Sequence, residues 1–511
     1  MTRIKKFLIE NYAIFLILIF GAVLLSININ KPFIGHHDFN SACFSQIAHN
    51  LTRYSIFDTK LGLVSGSGPL DPNHLSFSSC THNVPLYPWL LALSFYLFGQ
   101  GEFQARIISV VASLGILLFV YKITEKLFAE KLGLFSKPAA VLAAILFVTS
   151  PMIIYFGSNV FPEPQAIFFS LASFYFFILW LEKKRTRDFC ILLITSSLSM
   201  FTVWGSYFLP PLLVLYYLIF EKKKDFKKIL AFGLLPIFIF GLFLVHLFIL
   251  QGANFVPGLS FAFSSRLNVS LPKSPETLSA KLFFIEESHR TIAYYSKTTI
   301  LLSFGWLLLQ VKAMAKGRHD KKSFLLVTLM LWGLAYPLFF QKAADIHDYF
   351  LIYLAPFIAI SASVLGLQIA GAVKSKNISR LILILLVLGL PLVQILQTKN
   401  FTYTLLTTSG NKPGMELGNL VSKNTAFPDK ILVLSGQFGA FFGVFTNYYG
   451  DRTITYSDYS LSDFKKEQVD KKYDYVVYID GRDTKEDVAN YLTNDYPFMK
   501  KDIFTVFKTK K

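Results

Sequence analysis

Gly35-His36-His37-Asp38-Phe39-Asn40 opens, and His82-Asn83-Val84-Pro85-Leu86-Tyr87-Pro88-Trp89 closes, a polar stretch set between two long apolar runs. The apolar runs on either side, Asn11–Asn28 and Ile107–Leu127, have the length and composition of bilayer-crossing helices, which need roughly 20 apolar residues each. Residues 31–106 are therefore the first extramembrane loop of a polytopic protein. A loop of that size, rich in His and Asp, goes beyond what joining two helices requires.

The rest of the chain repeats the apolar theme. Hydrophobic residues make up 53% of the 511, with a mean hydropathy of +0.48, above the ~45–50% of soluble chains. The excess is gathered into runs, and only helices fit runs of this length in a membrane. Eleven spans are expected: Asn11–Asn28, Ile107–Leu127, Pro138–Phe156, Pro164–Leu181, Phe189–Val203, Phe208–Phe220, Ile229–Leu250, Thr298–Val311, Ser323–Phe340, Phe350–Val373 and Leu381–Leu396. The first has a basic start but no small-residue cleavage pattern after it, so it reads as a retained helix.

The net charge of +18 would suit a nucleic-acid binder, but its distribution points elsewhere. With the N-terminus inside, the inner connections carry 24 Lys and Arg in 56 residues and the outer ones 10 in 145. That is the positive-inside pattern, and it places residues 31–106 and the C-terminus outside a plasma membrane. The bilayer is then the partner that explains the basic composition, and no nucleic acid is expected.

From about residue 398 the sequence changes character. Lys430–Leu434 and Tyr473–Ile479 read as buried strands, Glu416–Lys423, Asp463–Val469 and Lys485–Leu492 as helices, and Phe498–Lys508 as one edge strand. The expected division is a transmembrane domain over 1–397 and a small extracytoplasmic α/β domain over 398–511. Gly436, Gly439 and Gly443 lack dinucleotide-fingerprint spacing and fit a tight strand-to-helix turn. Cys43 and Cys80 share the first loop; a disulfide and two separate thiols are equally compatible with that placement.

Four places carry groups suited to chemistry. Asp38 begins a stretch in which Phe39, Cys43, Phe44, Ile47 and Leu51 recur at helical spacing, a short amphipathic helix expected to lie in the interface plane. An Asp there is either a simple helix cap or a held charge. Glu163, in Phe161-Pro162-Glu163-Pro164, starts the fourth span at the same predicted membrane face. Lys342, His347 and Tyr349 fall in the connection before the tenth span, where a point charge and two hydrogen-bonding rings suit a phosphate as well as an interfacial belt. The run Leu86–Phe98 is too short to span and reads as interfacial or re-entrant, and Arg106 follows it at the mouth of the second span.

Together these motifs resemble the C-type membrane glycosyltransferases. The features are an early loop acid, Pro85-Leu86-Tyr87-Pro88-Trp89-Leu90-Leu91-Ala92-Leu93, a Phe-Gly-x-x-Glu-Phe-x-x-Arg run ending at Arg106, and His347-Asp348-Tyr349-Phe350 with Pro356 beyond it. The nearest resemblance is to bacterial relatives of protein O-mannosyltransferases and of lipid A aminoarabinose transferase, over roughly residues 1–370. It implies a polyprenyl-phosphate sugar donor, a lipid, glycan or protein hydroxyl as acceptor, and inverting transfer at the outer face. It also implies Asp38 and Glu163 as the catalytic acids and His82, Arg106, Lys342, His347 and Tyr349 as donor phosphate or lipid contacts. The chain departs from the family where Phe39 follows Asp38 in place of Glu, and where Asn83 stands in place of a frequent Lys. Asp38 is the one candidate ligand for a divalent ion; two acids and scattered histidines do not define a metal site.

Two rival readings come from other classes. A secondary transporter or flippase-like protein places charges near the bilayer midplane; here the spans are almost free of them, His246 being the main polar exception. A non-catalytic envelope-assembly subunit would tolerate loss of the Asp38 carboxylate.

Overall fold

The computed structural model describes residues 3–69, 83–269, 278–318, 320–481 and 486–510, with side chains from residue 12 onward except 469, 470 and 486. His82 and Cys80, both singled out above, lie outside the described residues. The chain divides into two compact units: Met1–Ile29, Thr81–Tyr87 and Arg106–Leu406 form one, and Asn30–Cys80, Pro88–Ala105 and Thr407–Lys511 the other.

The first unit is helical. Among the described residues, seven helical stretches are long and apolar enough to cross a membrane, including Glu102–Val148, Glu163–Lys183, Phe226–Ser264 and Asp348–Ala372; Tyr12–Leu25 and Trp204–Phe220 are shorter apolar helices. This is a multi-pass helical membrane fold. Its centre is the Asp348–Ala372 stretch, 94% buried, while Phe226–Ser264 is 17% buried and turns Phe and Leu side chains outward. The difference follows from composition. Ala355, Ala359, Ala362, Gly366 and Ala370 let neighbouring helices approach, here Ser136–Val148 and Lys297–Ala315.

Polar side chains then tie the helices. Gln394 donates to Leu146 O (2.8 Å) and Thr149 Oγ1 (3.0 Å) and accepts from Thr299 Oγ1 (2.7 Å), linking three helices with one amide. Ser303 and Ser361 meet at 2.7 Å, and Ser170 and Ser199 at 2.6 Å.

The expected spans need two adjustments. The connection expected at 122–137 is mostly helix, broken only at Gly133–Phe135, where Gly133 takes a φ of 52°. Pro138–Phe156 is two helices, Ser136–Val148 and Pro151–Phe156, because Pro151 withholds the N–H that would continue the ladder.

The second unit contains a mixed five-stranded sheet of β1 (Lys430–Leu434), β2 (Thr453–Tyr456), β3 (Tyr475–Ile479), β4 (Phe498–Lys501) and β5 (Phe504–Lys508), in the order β2-β1-β3-β5-β4. The first three strands are parallel, and β5 runs antiparallel to both β3 and β4. Strand periodicity sends Ile431 and Val433 to one face with Leu417, Val421 and Phe438. Leu432 and Leu434 go to the other face with Phe464, Val488 and Leu492. Helices therefore cover both faces. The single edge strand expected over Phe498–Lys508 is instead a hairpin turned at Asp502, where φ is 54°.

First-loop segments belong to this unit. The Phe33 N–H donates to Tyr449 Oη (2.7 Å), which donates to Glu102 Oε1 (2.8 Å). Asn411 Nδ2 donates to Gly35 O (2.8 Å), and Ser67 Oγ to Arg452 O (2.7 Å). The Asp38–Arg53 helix is covered on more than its apolar stripe: Phe44 and Ile47 are buried as expected, but so are Ser41, Ser45, Gln46 and Asn50, while Phe39 is 49% exposed. The reason is hydrogen bonding. Asn50 Nδ2 donates to Val64 O (2.9 Å) and Gly66 O (2.7 Å), pinning the irregular segment that carries them. At the helix end Arg53 pairs with Asp451 and lies over the Phe427 ring at 4.6 Å.

Two charged sites give pH-dependent expectations. Burial works to raise the Asp451 carboxyl, but the hydrogen bonds and charges of His49 and Arg53 outweigh it and hold the group below its ordinary range. Its stabilising contribution is therefore present at neutral pH and lost as pH falls through the depressed value. Arg53→Ala should cost about 1–3 kcal/mol near pH 7, measured by thermal unfolding in detergent, and the gap to wild type should close in acid. Glu287, on the Ala280–Tyr295 helix, is pushed up to about 7 by burial, with Asp348 and Asp345 adding and Arg290 opposing. Here the sign reverses: ionisation costs the folded state as pH rises from the ordinary carboxylate range through 7. Glu287→Gln should flatten that decline in thermal midpoint.

Candidate active site

The Pro162–Pro164 turn builds the centre of the site. Neither proline has an N–H to offer, so the chain enters the Glu163–Lys183 helix without a ladder bond at those positions. Glu163 is 3% exposed, and its Oε2 has no hydrogen-bond partner among the described residues. The sequence reading put this acid at a rim; the structure puts it in the interior of the helical unit.

Aromatic packing brings the later cluster to the same turn. The Tyr349 ring stacks on Phe161 (4.8 Å, 16°) and meets Phe156 at 5.9 Å. His347 lies beside Tyr349 and Phe350, and Tyr294 Oη donates to Asp348 Oδ2 (2.5 Å), fixing the segment between them. The Glu163 carboxylate is within charge range of Tyr87, Tyr336 and Tyr353. Arg106 is 3% exposed and donates to Ile29 O (3.2 Å), which rules out a snorkelling surface cation; it too is within charge range of Tyr87.

Other expected members are placed differently. Lys342 donates to Val269 O (3.0 Å), clasping the chain beside Asn268, which bonds Gln341 and Leu278. Asp38 belongs to the α/β unit, is 2% exposed, and accepts from the Gly35 N–H (2.7 Å) and Ser41 Oγ (2.9 Å). It is the first residue of its helix rather than the cap, which is His37 with φ 56°. The Asp38 carboxyl thus folds back on the turn that precedes it.

The helical unit also holds a feature absent from the sequence reading. A cleft of about 430 Å³ is lined by Trp204, Tyr207, Phe208, Phe263 and Phe339, with Arg266 as its charged lining residue among the described residues. Tyr336 also lines it. The density of aromatics in Trp204–Phe208 and in Phe339–Phe340 is visible in the sequence; their meeting around Arg266 is not.

Comparison with known proteins agrees with this architecture. Residues 82–249 match the model of the dolichyl-phosphate-mannose-protein mannosyltransferase family. An uncharacterized protein of Aquifex aeolicus (strain VF5) is 22% identical over 318 residues, 53% of this chain and 62% of that protein. A second from the same organism is 36% identical over 96 residues, so the chain spans about 62% and 21% of these relatives' lengths.

Among solved structures, ArnT from Cupriavidus metallidurans bound to undecaprenyl phosphate superposes with a TM-score of 0.65 at 12% identity, covering 98% of each chain. The oligosaccharyltransferase AglB from Archaeoglobus fulgidus, in complex with an inhibitory peptide and a dolichol-phosphate, gives 0.56 at 13% identity, over 92% of this chain and 70% of that one. Arabinofuranosyltransferase AftD from Mycobacteria gives 0.53 at 10% identity, over 98% of this chain and 40% of that one. The chain therefore shares the fold of ArnT, AglB and AftD.

Proposed function

We propose that this chain transfers a sugar from a polyprenyl-phosphate donor to a hydroxyl of a lipid, glycan or protein acceptor, with inversion, at the extracytoplasmic face of the membrane. The observation that carries the reading is that the helical unit holds both an aromatic cleft, with Arg266 as its one cation among the described residues, and a buried carboxylate oxygen with no partner among the described residues. A prenyl chain needs apolar walls, its phosphate needs a guanidinium, and the reacting hydroxyl needs a proton acceptor. The charge asymmetry of the connections supports the sidedness.

In the proposed reaction the acceptor O–H gives its proton to a carboxylate as its oxygen bonds the anomeric carbon. The bond from that carbon to the phosphate oxygen breaks, and the electron pair leaves on polyprenyl phosphate. One displacement inverts the centre. Glu163 is the acceptor-side acid and Arg266 holds the leaving phosphate in a site shielded from water, where such contacts are strongest. His347, carried by the Asp348–Tyr349 segment, is a further phosphate contact. Asp38 is the second proposed acid. The undecaprenyl phosphate and dolichol-phosphate of the ArnT and AglB structures support the donor class.

The test is transfer of labelled sugar from polyprenyl phosphate in membranes carrying each variant. Glu163→Gln should lower kcat by roughly 10²–10⁴ with little change in donor KM. Arg266→Ala should raise donor KM about tenfold or more, and Asp38→Asn should reduce turnover. Wild-type rates in all three would remove the reading. Uptake of a solute into proteoliposomes with no sugar transfer would favour a transporter instead.

A further inference from the structure

Buried polar atoms are nearly always hydrogen-bonded, and the first unit follows that rule across most of its helix contacts. Its exceptions include a group around one turn. Asn159 Nδ2, Glu163 Oε2, Gln165 Oε1 and Tyr353 Oη are all buried and have no hydrogen-bond partner among the described residues. Their residues are between 1% and 5% exposed. Asn159 lies just before the Glu163–Lys183 helix, Glu163 and Gln165 lie in its first turn, and the Asp348–Leu354 segment that carries Tyr353 packs against that helix.

Gln165 is held at its other end, where its Nε2 donates to Ser109 Oγ (3.3 Å). Tyr353 is fixed by its surroundings: a methyl on Gly205 would sit 2.8 Å from its hydroxyl, and its ring meets Trp332 edge-on at 5.2 Å.

The hydrogen-bonding types of these four atoms select a ligand. Glu163 Oε2 and Gln165 Oε1 accept only, Asn159 Nδ2 donates only, and Tyr353 Oη does both. An ionised phosphate has no hydrogen to give the two acceptors, and a hydrocarbon chain satisfies none of the four. Ring hydroxyls, which both donate and accept, satisfy all of them.

We propose that Asn159, Gln165 and Tyr353 form the subsite that reads the hydroxyls of the transferred sugar, apart from the Arg266 cleft that takes its lipid phosphate. The inference rests on the glycosyl-transfer reading and deepens it. These three residues set which sugar is used, because a site built to hydrogen-bond a hydroxyl rejects an analogue lacking it. They are also maintained against stability: each unpartnered buried group is a cost that an apolar replacement would relieve.

The test uses the full-length protein in nanodiscs. The probes are undecaprenyl-phosphate mannose, glucose and galactose, and single-deoxy analogues of whichever sugar is transferred. The variants are Tyr353→Phe, Gln165→Leu and Asn159→Ala. The expected result has three parts. Wild type prefers the full sugar over at least one deoxy analogue by about tenfold or more in kcat/KM. Each variant's preference for the full sugar over its matching analogue falls toward unity. Sugar-free undecaprenyl phosphate binds every variant as it binds wild type.

Tyr353→Phe removes one oxygen and little else, so its thermal midpoint should stay level or rise while activity on the full sugar falls. A structural role would lower the midpoint, which separates the two, and this variant decides the matter if Gln165→Leu does not fold. Unchanged discrimination in folded variants overturns the proposal and assigns the four atoms to buried water. A wild type that binds the sugar-free lipid but transfers no sugar counts against the parent reading instead.

Discussion

Everything in the helical unit depends on one constraint: a polar group taken into an apolar bundle must find its partner inside the protein. The unit meets it with little material. Gln394 closes three helices with one amide, Ser303 meets Ser361, and Trp332 Nε1 donates to Gly205 O at 2.9 Å. That economy gives the exceptions at the 159–165 turn their meaning. The helical unit has other unpartnered buried atoms, Asp188 Oδ2 and the Trp180 and Trp306 ring nitrogens among them, but three of the residues that carry one fall within seven positions here, Asn159, Glu163 and Gln165. The proline pair around Glu163 is part of the same device, since it fixes the backbone entering the helix while withdrawing two N–H groups.

Much of the fold was legible because bilayer and sheet impose simple periods. Apolar runs of membrane length had to be helices, and Ile431–Leu434 had to alternate between two covered faces. What stayed hidden depended on partners remote in sequence. The Asp38–Arg53 helix shows a clear apolar stripe, yet it buries Gln46 and Asn50 because the carbonyls of Val64 and Gly66 lie there. No local pattern announces a carbonyl 14 residues away that needs a donor. The hairpin at Asp502 was missed for a similar reason, a non-glycine residue in the left-handed region giving little turn signal.

The site was half legible for the same reasons. Glu163, His347 and Tyr349 could be singled out because charged and polar groups are conspicuous at span ends. Their assembly depends on Tyr349 stacking on Phe161, a contact between two aromatics in a chain with 53 Phe residues. Arg266 was passed over because a lone arginine in a long polar connection looks like any solvated charge. Only when Trp204, Tyr207 and Phe339 close around the same cleft does its position acquire chemical sense.

The comparison with ArnT sharpens the argument from residues. At 12% identity over 98% of both chains, helix lengths and small-residue contacts suffice to hold the architecture, and few side chains need to be shared. A fold kept on such terms says little about which sugar moves or what receives it. That information must lie in groups whose presence the fold does not require. In the helical unit these are the polar atoms that folding leaves unpaired, because folding alone would favour their replacement by methyl groups. Asn159, Gln165 and Tyr353 are therefore better guides to the substrate than the many well-satisfied residues around them.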